Sequence, residues 1–357
     1  PAYDLDFAGL NPKKTVYIDI ERIFLEQIKK IKNFELDKNL TKFKNEKDII
    51  KFFILEMNKK MIKYHNDSIN FFLKKISNLG IKRVFWGLAP NYLKRNLIKN
   101  LPKSIDVIGC QHGGSYFVTQ KDDFHKNLEF SFCKNYYSYG VSKQFKTKKY
   151  FKKNNLILSG CLKEPYVTNR INDNHLINNL LYIPVSLNNF WKPYLQSSQV
   201  ERFTEQSKIC REINNQKYFK PYFKILPKTM FQNFFFNYYN LQSNPIYLDI
   251  YKYKNLKVNS DSLMTSVKSV KPKVIISDFF STSIYELCNS NSEIILFIDK
   301  LNLPKKDVLQ CLEKRCFIAN SPLDLKMLLK KIYEGSISKN SSKSFFNQFY
   351  KLKRKIG

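Results

Sequence analysis

Short apolar runs of β character alternate with stretches of helical spacing along this 357-residue chain. That alternation narrows the fold more than any other feature, because strand–helix–strand units close into parallel sheets with helices on their faces. Strands are predicted at Arg83–Gly87 and Ile105–Cys110 around a helical Asn91–Asn100, with another at Leu156–Ser159. The pattern then restarts, with strands at Leu180–Val185, Tyr222–Leu226, Val274–Ser277, Ile294–Ile298 and Cys316–Ala319. Helices fall between them around Val200–Asn214, Ser283–Asn289 and Leu323–Tyr333. Upstream, a strand-like run at Thr15–Ile20 precedes apolar positions at helical spacing from Asp48 to Leu79, with Gly80 as a stop. The reading is two α/β domains, 1–165 and 178–335, joined through polar Thr168–His175, and a basic C-terminal tail over 336–357.

Composition enters where it excludes something. Hydrophobic residues at 43 %, with Phe 30 and Tyr 22, supply a sizeable core and remove the case for disorder. The net charge of +31 points to an anionic partner, yet only eight of the 61 basic residues are Arg. The Lys excess accompanies abundant Asn, Ile, Phe and Tyr, as AT-rich coding produces, and it is spread along the chain without an RNP, zinc-finger or homeodomain pattern. Specific nucleic-acid binding is therefore not expected. Seven cysteines without a CxxC pair suit a reducing compartment. No run reaches the 18 or so apolar residues of a membrane span, and the chain opens at Pro1 without a Met or signal pattern. A soluble cytoplasmic protein whose start is missing is the expectation.

In open parallel sheets, ligands sit outside the carboxyl ends of the strands. Two loops qualify. The first reads Gln111-His112-Gly113-Gly114-Ser115-Tyr116, in which paired glycines allow close backbone approach and His112 offers an imidazole for proton transfer. A tight turn around a hydrogen-bonded histidine is the structural alternative. The second reads Ser277-Asp278-Phe279-Phe280-Ser281-Thr282-Ser283 and runs into a helix, where hydroxyls and unpaired amides suit phosphate. Ser283 and Glu286 have the spacing of a capping box, against a role for Glu286 on a ligand hydroxyl such as a ribose.

This pair, strand-Q-H-G-G-x-Y and strand-S-D-x-x-S-T-x-x-x-E, resembles the surface-polysaccharide transferases related to CDP-glycerol glycerophosphotransferases and, more distantly, to bacterial β-Kdo transferases. The resemblance runs from about Lys82 to Gly335 and takes in Glu129, Tyr139-Gly140, Lys224-Ile225-Leu226-Pro227 and Ile318-Ala319-Asn320-Ser321-Pro322. It implies a GT-B architecture, two Rossmann-like domains with a nucleotide-activated donor of a sugar or polyol phosphate in the cleft between them. It implies His112 at the first loop, Ser281 and Thr282 at the donor phosphate, and Glu286 at the ribose or base. Phe117 stands where the family has Gly, Tyr139 where it has Trp, and Lys224 where Arg is commoner. The N-terminal half is short of the strands of a complete GT-B half, which reads as truncation or reduction.

A transferase of this kind holds the leaving phosphate, stabilises its charge and orients or deprotonates an acceptor hydroxyl. His112 is the candidate base, with Glu129 second or as its orienting partner. Gly113, Gly114, Ser115, Lys224, Ser277, Asp278, Ser281, Thr282, Ser283 and Glu286 are the candidate donor contacts. No metal site is expected, since His65, His125 and His175 lack ligand spacing and Asp122-Asp123 reads as an exposed turn. No cofactor is expected beyond the donor. The partners implied are that donor and a saccharide or lipid-linked acceptor, the latter compatible with peripheral contact at the inner face of the membrane. The rival readings are a degenerate, non-catalytic transferase that binds nucleotide, and a basic protein of nucleic-acid or membrane surfaces.

Overall fold

The computed structural model describes residues 66–67, 69–86, 92–111, 113–114, 116–119, 129–144, 155–160, 177–185, 199–225, 245–288, 290–298, 303–339, 342 and 344–349. The expectations at Thr15–Ile20, Thr168–His175, Leu226-Pro227, Asp122-Asp123, His112, Ser115, and at His65, His125 and His175, lie outside the described residues.

The first sheet has four strands in the order β1 (Arg83–Trp86), β2 (Asp106–Cys110), β3 (Asn135–Ser138), β4 (Asn155–Leu158). Helix α1 (Tyr92–Lys99) connects β1 to its parallel neighbour β2, the expected βαβ unit. β3, with sequence NYYS, has too little apolar alternation to be read as a strand in isolation. Residues 69–78 are helical and bury Ile69, Phe72 and Ile76 with Leu97 of α1, the spacing of three and four expected of one apolar stripe.

The second sheet is built from β5 (Ile177–Ile183), β6 (Lys220–Lys224), β7 (Lys257–Asn259), β8 (Pro272–Ser277), β9 (Glu293–Phe297) and β10 (Cys316–Ala319). Between them lie α2 (Gln199–Asn215), α3 (Pro245–Asp249), α4 (Leu263–Val270), α5 (Thr282–Leu287) and α6 (Lys306–Glu313), followed by α7 (Pro322–Tyr333) and α8 (Ser344–Phe349). The strand order is β10-β9-β8-β5-β6-β7, with every neighbouring pair parallel. From β5 the chain winds outward through β6 and β7, then returns to the other side of β5 at β8. This is the doubly wound Rossmann order, and its direction reverses between β5 and β8.

Both faces of this sheet are covered. Leu181, Ile275, Ile294 and Leu296 enter one apolar cluster, while Leu180, Tyr182, Val274, Ile276, Ile295 and Phe297 enter the other. Adjacent residues going to opposite clusters is the period-2 consequence of strands buried on both sides, and explains their near-continuous apolar runs.

By contact density the chain divides into two compact units, one of Pro1–Cys110, Asn127–Tyr136 and Lys153–Asn155, the other of Gln111–Lys126, Tyr137–Lys152 and Leu156–Gly357. The QHGG loop thus belongs to the unit that holds the six-stranded sheet. Of the stretch expected as a basic tail, 336–357, the described residues are 336–339, 342 and 344–349. Ser338 Oγ and Lys339 N–H donate to the Glu293 carboxylate, and α8 sends Phe345 and Phe349, both fully buried, into the core.

Candidate functional site at two loops of one unit

The loop after β8 is shaped from beneath. Ser277 is buried and its Oγ donates to Phe279 O at 3.1 Å. Asp278 is buried too, and its carboxylate accepts from Tyr182 Oη at 3.0 Å, Val185 N–H at 2.6 Å and Gln206 Nε2 at 2.8 Å. Arg202, also buried, donates to the Asp278 carbonyl at 3.1 Å. Desolvation raises the Asp278 pKa above its ordinary value, with Arg202 and the three donors opposing it. The sequence reading has Asp278 as a donor contact; in the structure its carboxylate faces inward and ties the exits of β5 and β8 together at the point where strand order reverses. Ser277 likewise serves the turn.

α5 begins differently from the capping box expected. Its N-cap is Ser281, without a side-chain capping bond, and Ser283 lies inside the first turn. Ser281 Oγ and Ser283 Oγ are 2.6 Å apart, so this end of the loop presents a hydroxyl cluster with Thr282. Glu286, partly buried, sits a turn further on rather than at the third position a capping box requires. With only six residues, α5 contributes little dipole, and the hydroxyls are the stronger feature. Beyond its C-terminus a fully buried Arg315 donates to the carbonyls of Cys288, Ser290 and Ser292 at 2.8–2.9 Å. An isolated Arg before a strand gives no sign of this role in the sequence.

Gln111 governs the first loop. Buried at 2 % exposure, it donates from Nε2 to Gly113 O at 2.6 Å, while its Oε1 accepts from Ser138 Oγ at 2.8 Å and Tyr139 N–H at 3.0 Å. The glutamine of Q-H-G-G is therefore the brace of the turn, a role that the sequence reading missed although the residue stood in the motif. Gly114 has a separate reason. A Cβ there would lie 2.6 Å from the carbonyl carbon and oxygen of Ser281 and 2.7 Å from Thr282 N, distances that side chains do not occupy. The two loops are thus in backbone contact, and Tyr285 Oη of α5 donates to Gly114 O at 2.8 Å.

Phe117, at the position where the resemblance expects Gly, has φ 61° and is fully buried. A left-handed conformation costs a bulky residue about 1–2 kcal/mol, and three hydrogen bonds from two neighbours hold the segment in it. Ser142 N–H and Lys305 Nζ donate to Phe117 O at 3.3 and 3.1 Å, and Lys305 N–H donates to Val118 O at 2.8 Å. Tyr139 meets Tyr285 of α5 edge to face at 5.4 Å, and Gly140 packs on α8, where a Cβ would lie 2.5 Å from the Phe349 ring.

Lys224 ends β6. Because β6, β5 and β8 are consecutive neighbours, it stands two strand spacings from Ser277 along the same carboxyl edge, roughly 9–10 Å. Burial lowers its pKa to about 8, against an opposing pull from Asp261. Glu129 lies in the other unit, fully buried, where its carboxylate accepts from Tyr136 Oη at 2.8 Å. The structure therefore brings together Gly113, Gly114, Ser281, Thr282 and Ser283 and sets Lys224 on the same sheet edge.

Among the described residues no group of three His, Cys, Asp or Glu could hold a metal ion, and no helix is long and apolar enough to cross a membrane. No protein-family model matches the chain, and no curated protein matches it. Solved structures do. MurG of Acinetobacter baumannii is similar at 10 % identity and TM-score 0.42, over 80 % of this chain and 75 % of that one. The wall teichoic acid polymerase TagF matches at 13 % identity and TM-score 0.39, over 71 % and 66 %. A glycosyltransferase from Rickettsia africae matches at 9 % identity and TM-score 0.45, over 81 % and 78 %. Likenesses of this extent do not assign a function.

Proposed function

We propose that the chain is a GT-B transferase moving a sugar or polyol-phosphate group from a nucleotide-activated donor to a surface-polysaccharide or lipid-linked acceptor. The observation that carries this reading is the backbone contact between the QHGG loop and the Ser281–Ser283 hydroxyl cluster, at the strand-order reversal of a Rossmann sheet. Open α/β sheets take their ligands at that place. The hydroxyls receive the donor phosphate, Lys224 supplies positive charge, Glu286 faces the ribose or base, and His112 takes the acceptor proton. Glu129 stands as a support of Tyr136, which leaves the base role to His112. The reaction uses no cofactor beyond the donor, and a cytoplasmic site at the inner membrane face suits the lipid-linked acceptor.

The test is a thermal-shift screen with CMP, CDP, UDP and GDP. One diphosphate should raise the melting temperature, since a ligand that binds only the native state stabilises it. Thr282→Val should weaken that nucleotide by about 5- to 150-fold, the equivalent of 1–3 kcal/mol for a hydrogen bond to a charged group. His112→Ala should bind it normally yet lose roughly 10²-fold in turnover of the matching donor. A screen in which no nucleotide moves the melting temperature refutes the reading.

Lys224 gives the proposal a pH signature with two opposite signs. Its native pKa of about 8 lies below the unfolded value of 10.5. Between these values the unfolded chain binds the extra proton, so this group's contribution to stability rises with pH. Phosphate affinity moves the other way, because the ammonium is lost as pH passes about 8. Nucleotide titrations from pH 7 to 9.5 should show affinity falling up to about tenfold per unit above the pKa, a trend that Lys224→Met abolishes. Affinity that is flat in wild type would remove Lys224 from the site.

A further inference from the structure

We propose that Tyr285 is a positioning residue that locks the first loop to the second, an inference that rests on the transferase reading for its significance but on the geometry for its content. Tyr285 lies on α5, the same helix that opens with the Ser281–Thr282 hydroxyls, and its Oη reaches back 171 residues along the sequence to the Gly114 carbonyl. The ring cannot swing away from that carbonyl. It is fully buried and is packed by Tyr139 at 5.4 Å, Phe280 at 5.7 Å and Phe345 at 5.2 Å between ring centroids. Beside this bond, the close approach of Gly114 to Ser281 and Thr282 leaves no room for a side chain.

Gln111 fixes the preceding carbonyl, that of Gly113, and Ser142 with Lys305 fixes that of Phe117. Of these anchors only Tyr285 comes from the element that carries the phosphate-binding hydroxyls. Any shift of α5 on ligand binding is therefore passed through Tyr285 to the backbone of the first loop. Gly114, held in this way, sets the register between whatever the first loop presents and the leaving phosphate on the second.

Tyr285→Phe keeps the ring and removes only the hydroxyl, so hydrogen exchange with mass spectrometry can separate a coupling role from a packing role. In the protein without ligand, amides of 113–119 should exchange about tenfold faster in the variant, the loss of roughly one net hydrogen bond. Amides of 282–288 should keep their protection, because the aromatic packing of α5 is unchanged. Equal loosening of both segments, or no change in 113–119, overturns the proposal and makes Tyr285 a packing residue. Inorganic pyrophosphate then serves as the probe for coupling. In wild type it should protect both 281–288 and 113–119, and in Tyr285→Phe it should protect 281–288 alone. If pyrophosphate protects neither segment in wild type, the phosphate-site reading fails, while the ligand-free comparison still decides the role of Tyr285.

Discussion

Gly114→Ala is expected to lower the melting temperature and to remove most nucleotide binding in one step. The new methyl group would sit 2.6 Å from the Ser281 carbonyl and 2.7 Å from Thr282 N, and both obstacles are backbone, which cannot rotate aside as a side chain can. Overpacking of this kind costs about 1–3 kcal/mol, and relief requires the loops to separate. Separation also stretches the Tyr285 bond to the Gly114 carbonyl, so the hydroxyl cluster and the first loop lose their common register. Chemical unfolding with calorimetric titration of the responding nucleotide checks both consequences. An alanine variant that keeps wild-type stability and affinity would mean that the two backbones are not in contact in solution.

Asp278→Ala is expected to have the largest effect on stability of any change near the site, about 3–5 kcal/mol. Removing the carboxylate takes the acceptor from the Tyr182 hydroxyl and the Val185 N–H, and leaves the Gln206 amide only its bond to Val185 O. It also leaves the Arg202 guanidinium, which donates to the Asp278 carbonyl, with Glu205 at 3.5 Å as its negative neighbour. Asp278→Asn should cost less, because one oxygen remains to accept, yet its amide must meet a second donor. A shift in the urea midpoint at constant m-value would register the loss as one of stability. A deficit below about 1 kcal/mol would show that the network bears little of the load.

The parts of this architecture that could be read from the sequence are those in which burial writes a pattern. β8 and β9 show as apolar runs because both of their faces are covered, and the expected strands there fall within two residues of the observed ones. β3 and β7 escaped because NYYS and KVN carry no such run; their positions are set by neighbouring strands. At the site, the sequence exposed the residue types but not their direction. The sequence puts three hydroxyl residues at 281–283, and the structure joins Ser281 Oγ to Ser283 Oγ. Asp278 in the same loop turns inward, because Arg202, Gln206 and Tyr182 draw it under the sheet edge from elements that lie far away in the sequence. The glutamine of the QHGG motif shows the same limit: its partners Ser138 and Tyr139 arrive from β3 and the residue after it. Phe117 could be recognised as an oddity from the sequence, but its left-handed backbone became visible only in three dimensions.

The separation of 171 residues between Gly114 and Tyr285 sets a timetable for biogenesis. At about 5–20 residues per second of synthesis, roughly 9–34 s pass between emergence of the first loop and of the tyrosine that anchors it. Phe345, whose ring packs on Tyr285, emerges later still. During that interval the buried partners of the mature loop, Gln111, Phe117 and Tyr139 among them, have no finished core to enter. Nascent chains of this protein therefore carry their first motif without its tyrosine anchor throughout that interval.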